Sequence, residues 1–335
     1  MVECTGEGVV FVEAEADVTL EQFGKTLHPP VEKLFCDDPG SGGIVSSPLL
    51  KIQEVDKYSM MFIMICTIFK GTGGNGPARG AVTPSVLPVW ERELLSARDP
   101  PCVTFPHPEY DDVVDTKLNR KITMDEMTEK SFFFGPTEMS AIRRFVPENL
   151  KTCTTFEVLT SCLWRCRTIA LQADPEQDMH LIIVVNARNK FNPPIPIGYY
   201  GNCIFYPCVS SKATDLCDKP LEHALELVMK AKSSVTEEYV KSTTDLMVVK
   251  GRPGFRTAST FNVSNLTRVG LNKANFGWGE AMYAGLPNEN PVVPGVFCEF
   301  MPSTNDKGES GIVVMFSLPI LAMEKFIKEL DIMLK

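Results

Sequence analysis

Histidine is scarce in this chain, with four residues among 335, at positions 28, 107, 180 and 223. None sits in a Ser-His-Asp arrangement, and no Gly-x-Ser-x-Gly elbow accompanies them, which removes the common serine-hydrolase patterns. The 11 cysteines contain no Cys-x-x-Cys pair, so the spacing of a metal site is missing as well. Basic excess is also lacking. Lys and Arg number 33 against 42 Asp and Glu, a net charge of −9, whereas a nucleic-acid binder needs basic surface against phosphates. The most apolar run, Met60–Phe69, is too short to cross a bilayer. Acids rather than a basic and then apolar run follow Met1-Val2-Glu3, so no secretory signal is read. These absences predict a protein without metal, nucleic-acid or membrane partners, soluble and cytoplasmic, with its cysteines as buried free thiols in a reducing compartment.

What is present is ample apolar content, 44%, and a length that sets a prior of two domains. Alternation over Gly8–Ala14 reads as a half-buried strand, and Met60–Phe69 as a buried strand. Pro88–Leu95 reads as a short helix begun by proline. Residues 100–130 are irregular and polar, a linker or crossover. Ser131–Phe134 is strand-like and Thr137–Phe145 helical. The clearest helix follows. Thr154 and Glu157 form a capping box, and Phe156, Leu159, Leu163, Cys166 and Ala170 then step by three and four into one apolar stripe. Leu181–Val185, Thr260–Val263, Gly295–Phe300 and Gly311–Leu318 read as strands, while Pro220–Tyr239 and Ala322–Leu334 read as helices. Strands and helices alternate through the second half, so the class is α/β.

Three motifs need weighing. Gly71-Thr72-Gly73-Gly74-Asn75-Gly76 matches GxGxxG after a strand, but Pro77-Ala78-Arg79-Gly80 is a poor helix start and Glu91 lies in a helix-like run; the stretch is read as a flexible loop. His107 and Asp111 make a literal HxxxD, the spacing of a general base with a supporting acid, yet they lie in the proline-rich stretch. The segment is read as a surface loop, with a catalytic pair as the minor alternative. Lys250, Arg252 and Arg256 form a basic cluster on an acidic chain, able to steer an anionic ligand but read first as a solvated loop.

One stretch is more distinctive. In Asn275-Phe276-Gly277-Trp278-Gly279 two glycines bracket a tryptophan, an unusual backbone path that holds a large ring. It resembles the DFGWG signature of the plant BAHD acyl-CoA-dependent acyltransferases, with Asn275 in place of the aspartate. Pro84–Trp90, Phe156–Leu171 with its Leu163-Trp164-Arg165-Cys166-Arg167 centre, Val185–Arg188, Phe191–Pro194 and Tyr199-Tyr200-Gly201-Asn202-Cys203 resemble further stretches of that family in the same order. The likeness is to its alcohol acyltransferase branch, of the benzyl alcohol O-benzoyltransferase type.

The resemblance implies two chloramphenicol-acetyltransferase-like α/β domains with a tunnel between them. On that scheme residues 1–114 are the remnant of a first domain, 115–130 a crossover linker, and 131–335 the second domain. It implies acyl transfer from acyl-CoA, a co-substrate rather than a bound cofactor, to the hydroxyl of a small alcohol, by a monomer. The tunnel's general base in the family is the histidine of an HxxxD that falls between Leu50 and Pro84. Here Glu54–Gly80 contains no histidine, so the base is expected to be absent from its place and activity impaired. Asn275–Gly279 is expected to shape the CoA end of the tunnel, with the Asn275 amide a weaker anchor for an arginine than a carboxylate. By the same resemblance Met1 falls inside the first domain, which is expected to be incomplete. A non-catalytic acyl-CoA binder and an unstable fragment stand as alternatives.

Overall fold

The computed structural model describes residues 10–15, 50–56, 60–65, 86–111, 127–257, 259–270, 296–305 and 307–335. Near the start, β1 (Val10–Glu15) pairs in parallel with β2 (Leu50–Asp56), and β2 pairs antiparallel with β3 (Met60–Ile65). The strands expected over Gly8–Ala14 and Met60–Phe69 are present over Val10–Glu15 and Met60–Ile65, the rest of each expected run lying outside the described residues. Asn275–Gly279 and the Gly71–Gly80 loop lie outside the described residues.

The second half is built on one mixed six-stranded sheet. Its strands are β4 (Met127–Phe134), β5 (Asp178–Ile183), β8 (Cys208–Lys212), β9 (Thr260–Asn265), β10 (Phe297–Thr304) and β11 (Ser310–Pro319). They lie in the order β4-β11-β10-β9-β5-β8, with β5, β9 and β10 running parallel and the other pairings antiparallel. Between β5 and β8 a two-stranded ribbon pairs β6 (Val185–Asn186) with β7 (Ile204–Phe205).

Helices α1 (Pro136–Arg143), α2 (Thr155–Leu171), α3 (Ala213–Asp218), α4 (Leu221–Ser234) and α6 (Ile320–Leu334) form a layer centred on α2, which packs against α6, α4, α3 and α1. The capping box starts α2 as expected. The Glu157 amide donates to Thr154 Oγ1 (3.3 Å) and the Thr154 amide to Glu157 Oε2 (2.6 Å). The predicted stripe is real but understates the burial. Val158, Thr160, Cys162, Trp164 and Thr168 are buried too, because neighbours surround the helix on several sides. Leu159, Leu163, Leu181, Phe261, Phe300, Phe316 and Phe326 belong to the core between helix layer and sheet.

Three readings of the sequence change. The helix expected over Pro220–Tyr239 is two helices: α4 ends at Ser234, and α5 (Glu237–Val249) restarts with Thr236 Oγ1 accepting from the Tyr239 amide at 3.2 Å. A capping threonine directly after Val235 offers the chain a break that apolar periodicity alone does not display. Pro88–Leu95 is not an α-helix. Val89 bridges Tyr199 in parallel, and only Arg92–Leu95 turns, as a 3-10 helix. The bridge needs Gly198, whose φ is +93° and whose Cβ, if present, would fall against the Leu87 carbonyl oxygen. Finally, the polar stretch after Pro100 is held down. Phe105 joins a smaller core of Ile195, Tyr199, Phe205, Val235, Tyr239 and Val240.

Candidate functional site

The literal HxxxD does not form a pair in space. Asp111 is exposed, with its carboxylate 3.9 Å from Lys250 Nζ. His107, expected on a surface loop, is buried at 6% exposure, and its partner is Glu109, with Nδ1 2.9 Å from Oε1. Nε2 lies 2.9 Å from Ser242 Oγ on α5. That hydroxyl already accepts from the Thr104 and Phe105 amides, each at 3.0 Å, so its proton is left to donate to Nε2. The imidazole is thereby fixed with its proton on Nδ1, donated to Glu109. Tyr239 Oη donates to the same Glu109 oxygen at 2.7 Å. Burial beside Glu109 pushes the Tyr239 phenol well above its ordinary range, so it remains a donor. Both ring nitrogens of His107 are occupied by protein groups, and the arrangement acts as a clasp between residues 104–109 and α5.

A second anchor extends the clasp. The Asp245 side chain, fully buried, accepts from the Arg98 amide (2.7 Å), Arg98 Nε (2.6 Å) and the Cys102 amide (2.9 Å), while Arg98 Nη1 reaches Glu238 at 2.8 Å. Glu109, Tyr239, Ser242 and Asp245 were not singled out from sequence; no spacing joins residues 98–109 to a helix some 140 positions later.

The basic cluster does not converge either. Arg256 turns inward, donating through Nη1 to His180 Nε2 (2.8 Å) and through Nε to the Pro108 carbonyl (3.3 Å). Burial and the Arg256 charge push the His180 imidazole down to about 4, so it is neutral. Lys250 and Arg252 stay exposed, Arg252 in a left-handed turn (φ 59°) after α5. Among the described residues no group of three or more His, Cys, Asp or Glu side chains is placed to hold a metal ion. Among them too, no helix is long and apolar enough to cross a membrane.

The sheet presents an asymmetric pair of faces. The face under the helices carries Met179, Leu181, Ile183, Phe261, Val263, Cys298, Phe300, Val314, Phe316 and Leu318. The other carries His180, Thr260, Asn262 and Ser317, all buried, beside Ile182, Met301, Val313 and Met315. Glu299 belongs to this second face, between Cys298 and Phe300 of the first. Burial pushes its carboxyl up to about 7. No motif marks Glu299; only its place as an acid within the Gly295–Phe300 run, read as a strand, was visible.

A model of the Transferase family matches residues 40–333. This chain belongs to that family, the BAHD acyltransferases. The match takes in most of the chain, as the resemblance through Asn275–Gly279 implied. Two relatives, each named benzyl alcohol O-benzoyltransferase, from Petunia hybrida and Nicotiana tabacum, are both 53% identical over 352 aligned residues, covering 100% of this chain and 76% of theirs. Alcohol acyl transferase 2 of Malus domestica is 43% identical over 99% of the chain and 75% of its own length. Among solved structures, vinorine synthase superposes with a TM-score of 0.66 at 18% identity, over 99% of this chain and 78% of that one. The F. graminearum TRI101 complex with coenzyme A and deoxynivalenol superposes with a TM-score of 0.64 at 16% identity, over 94% and 79%. These likenesses establish the α/β acyltransferase fold: a mixed sheet flanked by helices.

Proposed function

We propose that this chain is an acyl-CoA-dependent O-acyltransferase homologue that moves an acyl group to the hydroxyl of a small alcohol, giving an ester and free CoA, with impaired turnover. The observation that carries the transfer reaction is the 53% identity to two benzyl alcohol O-benzoyltransferases along the whole chain. The impairment rests on a different one. No histidine occurs within Glu54–Gly80, and the HxxxD that the chain does contain has its histidine bonded on both nitrogens to Glu109 and Ser242. Removing a general base lowers such a rate by roughly 10²–10⁴-fold. Exposed Lys250 and Arg252 are available to steer the CoA phosphates, whereas Arg256 is committed inward. Asn275–Gly279 shapes the CoA end of the tunnel on this reading. The chain works as a cytoplasmic monomer, with residues 1–114 and 131–335 as the two tunnel walls and 115–130 crossing between them.

The competing reading, an acyl-CoA binder without turnover, is favoured by the same closed His107. Purified protein given benzoyl- or acetyl-CoA and a panel of alcohols separates the two by release of free thiol. Release above buffer, but some 10²–10⁴-fold below the Petunia relative, supports the proposal. Calorimetric CoA binding without release supports the binder, and elution only as aggregate supports an unstable fragment. Turnover that disappears in a folded His107→Ala variant would instead make His107 the base.

A further inference from the structure

The Tyr199-Tyr200-Gly201 turn gathers hydrogen-bond donors without acceptors to match them, and its place is fixed on two sides. On one, the Val89 amide donates to the Gly198 carbonyl and the Val89 carbonyl accepts from the Tyr200 amide, each at 2.9 Å. That bridge lays Trp90 and Arg92 alongside the turn. On the other side, the Ala187 amide donates to the Cys203 carbonyl at 2.9 Å, just before the 3-10 turn Arg188–Lys190. Asn186 Oδ1 accepts from the Arg188 amide at 3.0 Å, which holds the base of that side chain. Gly201 lies between. A Cβ at this position would come within 3.2 Å of Arg92 Nη1 and 3.0 Å of Tyr199 Cε1, so guanidinium and phenol close on a place that glycine alone leaves open. Arg188 Nη2 reaches the same residue, donating to the Gly201 carbonyl.

Three donor side chains therefore meet around Gly201, and little in the protein answers them. Arg92 is exposed and lies 5.6 Å over the Trp90 ring, a contact that uses none of its N–H groups. Arg188 Nη1 has one long contact, 3.5 Å to Asn186 Oδ1, and its Nε is buried with no acceptor. Among the described residues no hydrogen bond engages Tyr199 Oη, and neither arginine is paired with a carboxylate. Glu91 and Glu93, exposed on either side of Arg92 in sequence, are no exception. Burial holds the Tyr199 phenol protonated against the pull of both arginine charges, so it stays a donor. Other arginines of this acidic chain are matched: Arg98 by Asp245 and Glu238, Arg165 by the carbonyls of Leu216 and Cys217. Two guanidiniums drawn to one residue without a counter-charge, one carrying an orphaned buried N–H, lack an anion.

We propose that Arg92, Arg188 and the Tyr199 hydroxyl form a binding site for a phosphate monoester. The ligand supplies the acceptors that the turn lacks, including one for Arg188 Nε, and the charge that relieves the repulsion between the guanidiniums. The donors arrive from separate segments, which suits a tetrahedral group with oxygens in several directions. A planar carboxylate is satisfied by the fork of a single arginine. Exposed Arg92 and Trp90, the latter at 57%, leave the site open to solvent. Such a monoester has two sources, the ribose phosphate of coenzyme A or a phosphate borne by another small molecule.

Calorimetry of the full chain with inorganic phosphate, at constant ionic strength in chloride, tests the site, and tryptophan emission locates it. Saturable binding is expected with a Kd on the order of 1 mM. Emission changes along the same curve, and Trp90→Phe loses that change while the heat of binding remains. Arg92→Gln, at an exposed position, weakens phosphate binding about 10-fold or more, and Tyr199→Phe, which removes a single hydroxyl, about 5-fold. A double variant with Lys250→Gln and Arg252→Gln stays within about two-fold of the parent chain. Arg188→Gln should match Arg92→Gln; should it fail to fold, the Arg92→Gln and Tyr199→Phe results decide. Coenzyme A that displaces phosphate where dephospho-coenzyme A does not makes the monoester that of coenzyme A. Displacement by neither supports the site with a different phosphate monoester as its ligand. Absence of saturable heat, or binding that Arg92→Gln and Tyr199→Phe leave intact, overturns the inference. The site does not depend on the acyltransferase reading, whose failure shows separately as a chain that binds phosphate and releases no thiol.

Discussion

His180 and Glu299 lie on the same sheet face, and burial drives their proton affinities in opposite directions. For His180 the folded value of about 4 lies below the ordinary 6.5. Between those two pH values the unfolded chain binds a proton that the folded chain refuses, so stability falls as the solution is acidified through this window. For Glu299 the folded value of about 7 lies above the ordinary 4.5. Over that interval the folded chain keeps a proton the unfolded chain has lost, so stability falls as pH rises. Each contribution is on the order of 3 kcal/mol, and the two windows overlap with opposite sign. Urea midpoints taken at half-unit steps from pH 4 to 7 test the opposition. Relative to the parent chain, Glu299→Gln should gain stability towards pH 7, leaving the His180 slope visible. His180→Gln should gain stability towards pH 4. Parallel curves for all three proteins would mean that neither group titrates as its burial dictates. Nothing in the sequence around either residue announces this. His180 is read from sequence as preceding a strand, yet it lies inside β5, where burial first and the Arg256 charge second hold it neutral.

Secondary structure whose signals lie close together in the chain was the legible part. The α2 capping box joins residues three apart and reads directly from Thr154-Thr155-Phe156-Glu157. Thr154→Ala should cost about 1 kcal/mol in a urea melt, and more if Glu157, which also holds Lys232 at 2.8 Å, is lost with it. Helix α5 was not legible, because its inward residues include Ser242, Thr243 and Asp245, polar groups that hydropathy assigns to solvent. Ser242 and Asp245 are buried because residues 98–109 bring amides, an imidazole and a guanidinium to meet them, while Thr243 Oγ1 donates to the Tyr239 carbonyl of its own helix at 2.9 Å. Ser242→Ala tests that clasp. It strands the Thr104 and Phe105 amides and removes the donor to His107, so the expected loss is about 2–3 kcal/mol. Faster hydrogen exchange should appear at Thr104 and Phe105 before it appears in α2. Exchange unchanged at those amides would show that residues 104–109 are held by the Phe105 and Tyr239 packing alone.

At the scale of the molecule, the α/β class and the family followed from motifs in order, while the strand order did not. β10 and β11 follow one another in the chain, but the β4–β11, β9–β10 and β5–β9 pairings join segments well separated in sequence. Periodicity shows that a strand exists but not which strand it will sit beside. The same distance effect governs activity. On the acyltransferase reading a base supplied between residues 54 and 80 works only with the rest of the tunnel around it, so the missing base can be restored by itself and its effect measured. Replacing Glu54–Gly80 with the corresponding segment of the Petunia relative should raise thiol release from benzoyl-CoA and benzyl alcohol by roughly 10²–10⁴-fold, the usual contribution of a positioned general base. A replacement that folds, binds coenzyme A and still releases no thiol would move the deficit away from residues 54–80 and onto the rest of the tunnel, with Asn275 in place of the signature aspartate as the next position to restore.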